Sequence, residues 1–268
     1  MIAALNAPGK TIIKAKKSRN HTELLYKYLK IPIKIKNSKK YDYIEIEGKK
    51  NFGSINYKIP SDISSSAFFI VLTLLAQKSK LIIKEVNINP SRIGLITILN
   101  KMGAKISFKN IKKYKGEKVA DLLVKSVKSL KAINCPSSLN SSTIDEFLII
   151  FLAAAKAKGV SYFKNLSELN KKESPRLDLG SKILNSLGVK TVLKSNSIKI
   201  YGNPNLKLNG NYTIKNYYKD HRIFLMCFIA ALTLGGNWKI HDSDSFRTSF
   251  PSFLKIINQL DKKLNYEI

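Results

Sequence analysis

An internal repeat of about 70 to 85 residues constrains the fold of this 268-residue chain more than any other feature. Each copy reads as an apolar helix, a strand, an arginine-bearing loop, a second helix and another strand. Because strands alternate with helices of about 10 to 15 residues, the pattern predicts an α/β fold. The leading helices are predicted to end within the segments 1–9, 66–79, 145–159 and 221–236. The strands that follow them are predicted at 10–15, 80–86, 160–165 and 237–242.

Arginines recur at one position of this repeat. Arg19, Arg92, Arg176 and Arg247 each follow a predicted strand and precede a predicted helix, and the chain has only one further arginine, Arg222, among its 47 basic residues. A planar guanidinium binds phosphate or carboxylate through two parallel hydrogen bonds, which a lysine ammonium cannot copy. A lysine-rich chain that keeps arginine in these loops is therefore expected to bind anions there.

The first copy of the repeat is short, since its leading helix is represented only by its last two turns before the chain begins at Met1. The leading helices are apolar on almost every side, so we expect them to be buried beneath sheets. A helix cut inside its buried part would leave apolar surface uncovered. We therefore expect a truncated gene product that is inactive by itself, or one half of a split enzyme.

The net charge of +29 is typical of proteins that bind nucleic acid. The lysines, however, are spread over predicted strands, loops and helices alike, and the lysine-rich stretches lack the interleaved aromatic residues on which bases stack. We therefore favour a solvated lysine surface, or an anionic small substrate, over a nucleic-acid partner. A basic nucleic-acid-binding protein remains an alternative.

Other classes of protein are excluded by composition. No apolar run reaches the roughly 18 residues that span a bilayer, and the N-terminus lacks the basic region of a signal peptide, so we expect a cytoplasmic protein without a membrane partner. The two cysteines, Cys135 and Cys227, are far apart in the sequence, and the three histidines are scattered. We expect no disulfide and no metal site.

Three loops carry polar residues just before predicted helices, where free backbone N–H groups and the helix dipole favour anions. In the first loop, KKESPRL (171–177), Lys172 and Glu173 stand directly before the helix start. The predicted caps and first-turn residues are Ser174, Pro175 and Arg176 in the first loop, Asp220, His221 and Arg222 in the second, and Ser142 or Thr143 with Asp145 and Glu146 in the third.

Several segments match known motifs in order along the chain. They are SDISSSAFF (61–69), NINPSRIG (87–94), LNKKESPRL (169–177), YKDHRI (218–223) and TSFPSF (248–253), with KKSRNHTELL (16–25) nearer the start. Together they resemble the successive C-terminal motifs of the 5-enolpyruvylshikimate-3-phosphate synthases. One departure is that many members have a lysine before the TFP-like segment, where this chain has Thr248 preceded by Arg247.

The resemblance implies an inside-out α/β barrel of βαβαββ repeats, in an enolpyruvyl transferase fold that is truncated at the N-terminus. Residues 1–59 would be the incomplete last unit of the N-terminal lobe, and residues 60–268 a C-terminal lobe of three units. The implied substrates are phosphoenolpyruvate and shikimate 3-phosphate, with no cofactor. A separate N-terminal fragment is a possible partner.

The resemblance also implies roles for individual residues. Asp145 would take the proton from the 5-hydroxyl of shikimate 3-phosphate, with Lys172 beside it, and Glu173 would give a proton to the methylene carbon of phosphoenolpyruvate. Arg176 and Arg222 would bind the phosphate or carboxylate of phosphoenolpyruvate, and Arg19 would contact shikimate 3-phosphate. The other implied substrate-binding residues are Ser18, Asp220 and His221.

A related enzyme class stays open as an alternative, namely the enolpyruvyl transferases that act on a UDP-aminosugar. Those enzymes typically use a loop cysteine as an acid. Cys135 is a poor candidate for that role because no arginine lies near it in the sequence and a lone cysteine is more often a small core residue.

Overall fold

The structure, a computed structural model, describes residues 1–48, 51 and 53–260, which form α-helices, β-strands and short 3-10 helices. The first two repeats contain α1 (Ile2–Asn6), β1 (Lys10–Lys16), α2 (His21–Tyr28), β2 (Ile33–Asn37) and β3 (Tyr41–Glu47), then α3 (Ile63–Leu75), β4 (Lys80–Asn87), α4 (Gly94–Lys101), β5 (Lys105–Tyr114) and β6 (Glu117–Lys125). The last two contain β7 (Leu130–Lys131), α5 (Phe147–Ala155), β8 (Ala157–Phe163), α6 (Arg176–Ser186), β9 (Thr191–Lys194) and β10 (Ser197–Gly202), then β11 (Asn211–Ile214), α7 (His221–Leu234), β12 (Asn237–Ile240) and α8 (Phe253–Leu260).

Each repeat forms its own sheet, and three strands of each of the first three sheets share one order, with the last strand of the repeat in the middle of the three. The strand orders are β1-β3-β2, β4-β6-β5, β7-β8-β10-β9 and β11-β12. β11 and β12 are parallel, as are β7 and β8, and an isolated parallel bridge joins Ser61 to Val86 of β4. The remaining pairs are antiparallel. The predicted α/β repeat is confirmed, and each parallel pair is connected through one of the apolar helices, as a parallel connection requires.

The arginine positions predicted from the repeat are confirmed. Arg19 lies between β1 and α2, Arg92 between β4 and α4, and Arg247 between β12 and α8, while Arg176 is the first residue of α6. The strand predicted at 160–165 instead spans Ala157–Phe163, because its start pairs with β7 through Leu130 and Ala157. That pairing partner lies outside the local sequence pattern.

The main core surrounds the apolar helices α3, α5 and α7, which contact one another. All nine residues of α5 are buried, as are most of α3 and α7. Burying one large apolar side chain contributes about 1.5–3 kcal/mol, so this cluster dominates the stability of residues 63–257. A separate small core lies in the first repeat, and its buried members are Ala4, Tyr26, Ile31, Ile44 and Ile46. The assignment of 1–59 and 60–268 to two lobes remains a prediction.

Polar contacts join the first repeat to the second. His21, at the start of α2, lies with its Nδ1 2.5 Å from Oε1 of the buried Glu117. The side-chain amide of Asn89 donates to Asn20 Oδ1 at 2.8 Å and to Glu117 Oε2 at 3.1 Å. These contacts fix the loop that carries Arg19 against the larger part of the chain.

The described residues show neither a membrane-spanning helix nor a metal-binding cluster. None of their helices is long and apolar enough to cross a membrane. They also contain no group of three or more His, Cys, Asp or Glu side chains arranged to hold a metal ion. Cys135 and Cys227 are both free and buried, and burial raises the pKa of these thiols to about 11 and about 12.

Candidate active site

The candidate site lies where the N-terminal ends of α5, α6 and α7 meet. Asp145 stands just before α5, Arg176 begins α6, and Asp220 precedes α7. The loop after β1 brings Arg19 to the same place, where its guanidinium donates to the Asp145 carboxylate. Polar residues gather here because the starts of α5, α6 and α7 and the loop after β1 converge at one place.

The predicted cap at Asp220 is confirmed. Its carboxylate accepts a hydrogen bond from the backbone N–H of Arg222 at 2.9 Å, and His221 and Arg222 occupy the first turn of α7. The capping prediction for Ser174 is wrong. Its hydroxyl instead donates to Asp220 Oδ2 at 2.7 Å, and Pro175 is the residue before α6 rather than its first residue. A hydroxyl that donates to an ionised carboxylate forms a stronger, charge-assisted hydrogen bond than one that accepts from a neutral backbone N–H.

The predicted start of α5 is also wrong. The helix begins at Phe147, so Asp145 and Glu146 precede its first turn, and Ser142 donates to the carbonyl of Leu139 instead of capping. The reason is a tertiary contact with α4. A Cβ atom added to Gly94 would lie 1.9 Å from Thr143 Oγ1, so residues 141–146 form turns packed directly against that glycine.

Arg176 is the centre of the site and is almost completely buried. Its Nε donates to Asp220 Oδ2 at 2.8 Å, and Nη2 donates to Asp220 Oδ1 at 3.2 Å, in a bidentate pair. Burial raises the pKa of Asp220, but the hydrogen bonds and charge of Arg176 outweigh it, so the net shift is downward. The ionised pair therefore fixes the guanidinium plane.

The two predicted catalytic carboxylates, Glu173 and Asp145, lie beside Nη2 and Nη1 of this guanidinium. Nη2 of Arg176 donates to Glu173 Oε2 at 2.6 Å, and Nη1 lies 3.7 Å from Asp145 Oδ1. Lys172 Nζ lies 3.2 Å from the same Asp145 oxygen. The structure thus brings Asp145, Glu173 and Lys172 together around Arg176, while the individual roles of these residues remain predictions.

The two carboxylates have different surroundings. The Glu173 side chain is 57% exposed, whereas that of Asp145 is 14% exposed and surrounded by cations. Burial raises the pKa of Asp145, but Arg222, Arg19 and Lys172 together hold it well below its usual range. Asp145 is thus ionised at neutral pH, as a general base must be before it accepts a proton.

Arg222 closes the other side of the cleft. Its Nη1 donates to the backbone carbonyl of Asp145 at 2.9 Å and lies 4.0 Å from Glu146 Oε1. His221 is half-buried beside it, and burial followed by the charge of Arg222 lowers its pKa. Ser18 is exposed next to Arg19.

Three residues to which the resemblance gave no role, Glu146, Ser64 and Arg92, extend this network. Glu146 accepts a hydrogen bond from Ser64 Oγ at 2.5 Å, and the same hydroxyl accepts one from Arg92 Nη2 at 2.7 Å. The available signals were the position of Arg92 in the repeat and of Ser64 in SDISSSAFF. Arg247, by contrast, pairs with Asp244 at 3.0 Å, and both side chains are well exposed.

Acid is expected to destabilise the folded chain through Asp145 and Asp220. Both carboxyls have a lowered pKa in the folded state, so the stability they contribute is present above the unfolded pKa of about 3.9 and is lost as the pH falls through the folded pKa. The urea midpoint, followed by circular dichroism, should drop between about pH 5 and 2. Asp220→Asn should reduce that slope, and an unchanged slope would contradict this account.

Comparison with known proteins decides the family. The EPSP synthase profile, described as 3-phosphoshikimate 1-carboxyvinyltransferase, matches residues 1–257. The chain belongs to the EPSP synthase family. It is 37% identical over 266 residues to the 3-phosphoshikimate 1-carboxyvinyltransferase of Ruthia magnifica subsp. Calyptogena magnifica, which covers 99% of this chain and 59% of that relative. It is also 37% identical to the enzyme of the same name from Petrotoga mobilis, over 97% of this chain and 59% of the relative.

Solved structures agree with this family and with the predicted fold class. An EPSP synthase from Acinetobacter baumannii superposes with a TM-score of 0.87 at 31% identity, covering 96% of this chain and 58% of that chain. The enolpyruvyl transferase NikO from Streptomyces tendae has a TM-score of 0.72 at 15% identity and supports the fold alone. The EPSP synthase family match thus confirms the enolpyruvyl transferase fold, and the chain spans about 59% of the length of the curated relatives that it matches.

Proposed function

We propose that this chain supplies the acid–base residues and part of the anion-binding residues of an EPSP synthase. The proposed reaction transfers the enolpyruvyl group of phosphoenolpyruvate to the 5-hydroxyl of shikimate 3-phosphate and releases phosphate, in aromatic amino-acid biosynthesis. The observation that carries this proposal is the arrangement at Arg176, where an exposed glutamate and a cation-surrounded aspartate contact one buried guanidinium. Two such carboxylates in one site can serve as the acid and the base that this addition needs.

The reaction proceeds in two steps in this proposal. Glu173 gives its proton to the methylene carbon of phosphoenolpyruvate, Asp145 takes the proton of the attacking hydroxyl, and a C–O bond forms to give a tetrahedral ketal. Loss of a proton from the new methyl group and cleavage of the bond to phosphate then produce the enol ether and inorganic phosphate. The methyl proton returns to Glu173, the hydroxyl proton held by Asp145 goes to the departing phosphate, and no redox change occurs.

The cations around Asp145 would hold the two anionic substrates together. Arg222 and Arg176 present guanidinium groups to the cleft, with Lys172 and Arg19 beside them. Preorganised cations in a site that excludes water stabilise developing negative charge more strongly than they do in bulk solvent. Substrate phosphates and carboxylates would also compete with Asp145 for these cations, which would raise its basicity when the substrates bind.

The fold supports a partner polypeptide that completes the first sheet. In each of the other three repeats, the strand after the leading helix has a parallel neighbour. The parallel pairs are Ser61 with β4, β7 with β8, and β11 with β12. Among the described residues, β1 is paired with β3 and forms the edge of its sheet. Its exposed Ile12 lies on that edge strand. We propose that a strand from an N-terminal fragment pairs with this edge.

The proposal is tested by phosphate release from phosphoenolpyruvate and shikimate 3-phosphate. The purified chain is assayed with and without a fragment of the Acinetobacter baumannii relative that contains the part outside the aligned 58%. Phosphate release is expected only in the mixture. The Asp145→Asn chain in the same mixture controls for contaminating enzyme. Release by the chain alone would refute the need for a partner, and the absence of release in a mixture that forms a complex would refute the proposed function.

A further inference from the structure

A buried carboxyl group that the proposed reaction does not use lies directly behind Arg222. Glu146 is 2% exposed, and its Oε1 accepts the hydrogen bond from Ser64 and lies 4.0 Å from Arg222 Nη1. A carboxyl group is costly to bury as an anion unless cations and hydrogen-bond donors compensate it. Ser64 and Arg222 are the hydrogen-bond donor and the cation that lie beside this buried carboxyl group.

Glu146 connects arginines from two repeats. Arg92 donates to Ser64 Oγ at 2.7 Å and to Asp62 Oδ1 at 3.0 Å, and Ser64 in turn donates to Glu146. On the far side of Glu146, Arg222 is held by the carbonyl of Asp145. This chain of contacts orients the Arg222 guanidinium and restricts its rotation, because both the carbonyl and the carboxyl lie beside the same nitrogen, Nη1.

The charge of Glu146 also affects what Arg222 can bind. Opposite unit charges about 4 Å apart attract each other strongly in a partly buried site, so an ionised Glu146 weakens the attraction of Arg222 for an anion. Burial raises the pKa of Glu146, and Asp145 raises it further, whereas the hydrogen bond from Ser64 and the charges of Arg222 and Arg92 lower it, with a net upward shift. Its protonation thus occurs at a higher pH than that of an ordinary glutamate.

We propose that Glu146 is a positioning residue for Arg222, and that loss of its charge on protonation strengthens anion binding by Arg222. The inference rests on the proposed function only in taking Arg222 as a residue that binds a substrate anion. Protonation removes a negative charge beside the guanidinium, so anion affinity should rise as the pH falls, and anion binding should in turn favour protonation. The substitution Glu146→Gln keeps the size and shape of the side chain but removes its titratable charge, so the contribution of Glu146 to the pH dependence of anion affinity should disappear.

The test uses sulfate, whose charge is constant over the pH range, and the Nε–Hε NMR signals of the five arginines. Each signal is assigned with an Arg→Lys variant, and sulfate is titrated at about pH 5.5 and 7.5. In the wild-type chain, the affinity reported by Arg222 should be higher at the lower pH. In Glu146→Gln it should be about tenfold higher than in the wild type at the higher pH, with a smaller difference between the two conditions. His221 also titrates near Arg222, so the difference between wild type and variant isolates the Glu146 contribution.

Two further variants make the test decisive. Glu85→Gln removes one negative charge from an exposed glutamate that is paired with Lys58 and Lys112, and it should leave the Arg222 response unchanged. Ser64→Ala removes the hydrogen bond that lowers the Glu146 pKa, so the pH at which affinity changes should move upward. Equal sulfate affinity in wild type and Glu146→Gln at both pH values would overturn the inference, as would an equal gain in Glu85→Gln. Because the titration requires no turnover, its outcome is separate from that of the phosphate-release assay.

Discussion

Asp145→Asn is expected to lower kcat of the proposed two-polypeptide enzyme by about 10²–10⁴-fold, the usual contribution of a general base. The substituted side chain keeps its size but cannot accept the hydroxyl proton. It also leaves Lys172, Arg19 and Arg176 with one negative charge less beside them. Anionic phosphoenolpyruvate should therefore bind at least as tightly as before, so KM should stay the same or fall while kcat collapses.

Steady-state phosphate release at varied phosphoenolpyruvate concentration measures both constants. Asp178→Asn is the matched control, because Asp178 lies in the first turn of α6 and accepts a hydrogen bond from Asn170 at 2.9 Å. That variant should keep kcat near the wild-type value. If Asp145→Asn kept kcat within about twofold of wild type, the general-base role would be refuted.

Asp220→Asn is expected to destabilise the chain by about 3–5 kcal/mol, because it leaves the buried guanidinium of Arg176 without its buried bidentate partner. Asp220 accepts two hydrogen bonds from Arg176, one from Ser174 and one from the N–H of Arg222, so it also caps α7. An asparagine can keep part of the cap but cannot accept the bidentate pair. Urea denaturation of the chain by itself measures the loss, with no need for substrates or a partner.

The double variant Asp220→Asn/Arg176→Met separates the lost charge pair from lost packing. Removing the guanidinium together with its partner avoids a buried unpaired cation, so the double variant should recover much of the stability lost by Asp220→Asn. Recovery is the diagnostic result. A double variant less stable than Asp220→Asn would show that the guanidinium itself stabilises the fold through its other partners, Glu173 and Asp145.

Local sequence was sufficient for most of the architecture. The apolar helices, the strand after each of them and the arginine after each strand all follow from periodicity and residue type, since the spacing of apolar residues fixes which side of a helix or strand can be buried. The Asp220 cap was also predictable from local sequence, because an aspartate directly before an apolar helix can accept hydrogen bonds from the backbone N–H groups of the first turn. Asp145, Glu173 and Lys172 were found through motifs that recur in a known order.

Tertiary structure decided what these loops do once they meet. Ser174 was predicted as a cap, but a carboxylate from another repeat, 46 positions along the chain, is its actual partner. Glu146 was predicted within a helix, yet Ser64 and Arg222 reach it from two other repeats. Sequence by itself determined the repeat, the buried helices and the kinds of charged group at their starts. The three-dimensional fold alone decided which charges pair, because hydrogen bonds and ion pairs depend on distances of a few ångströms between residues that no local pattern relates.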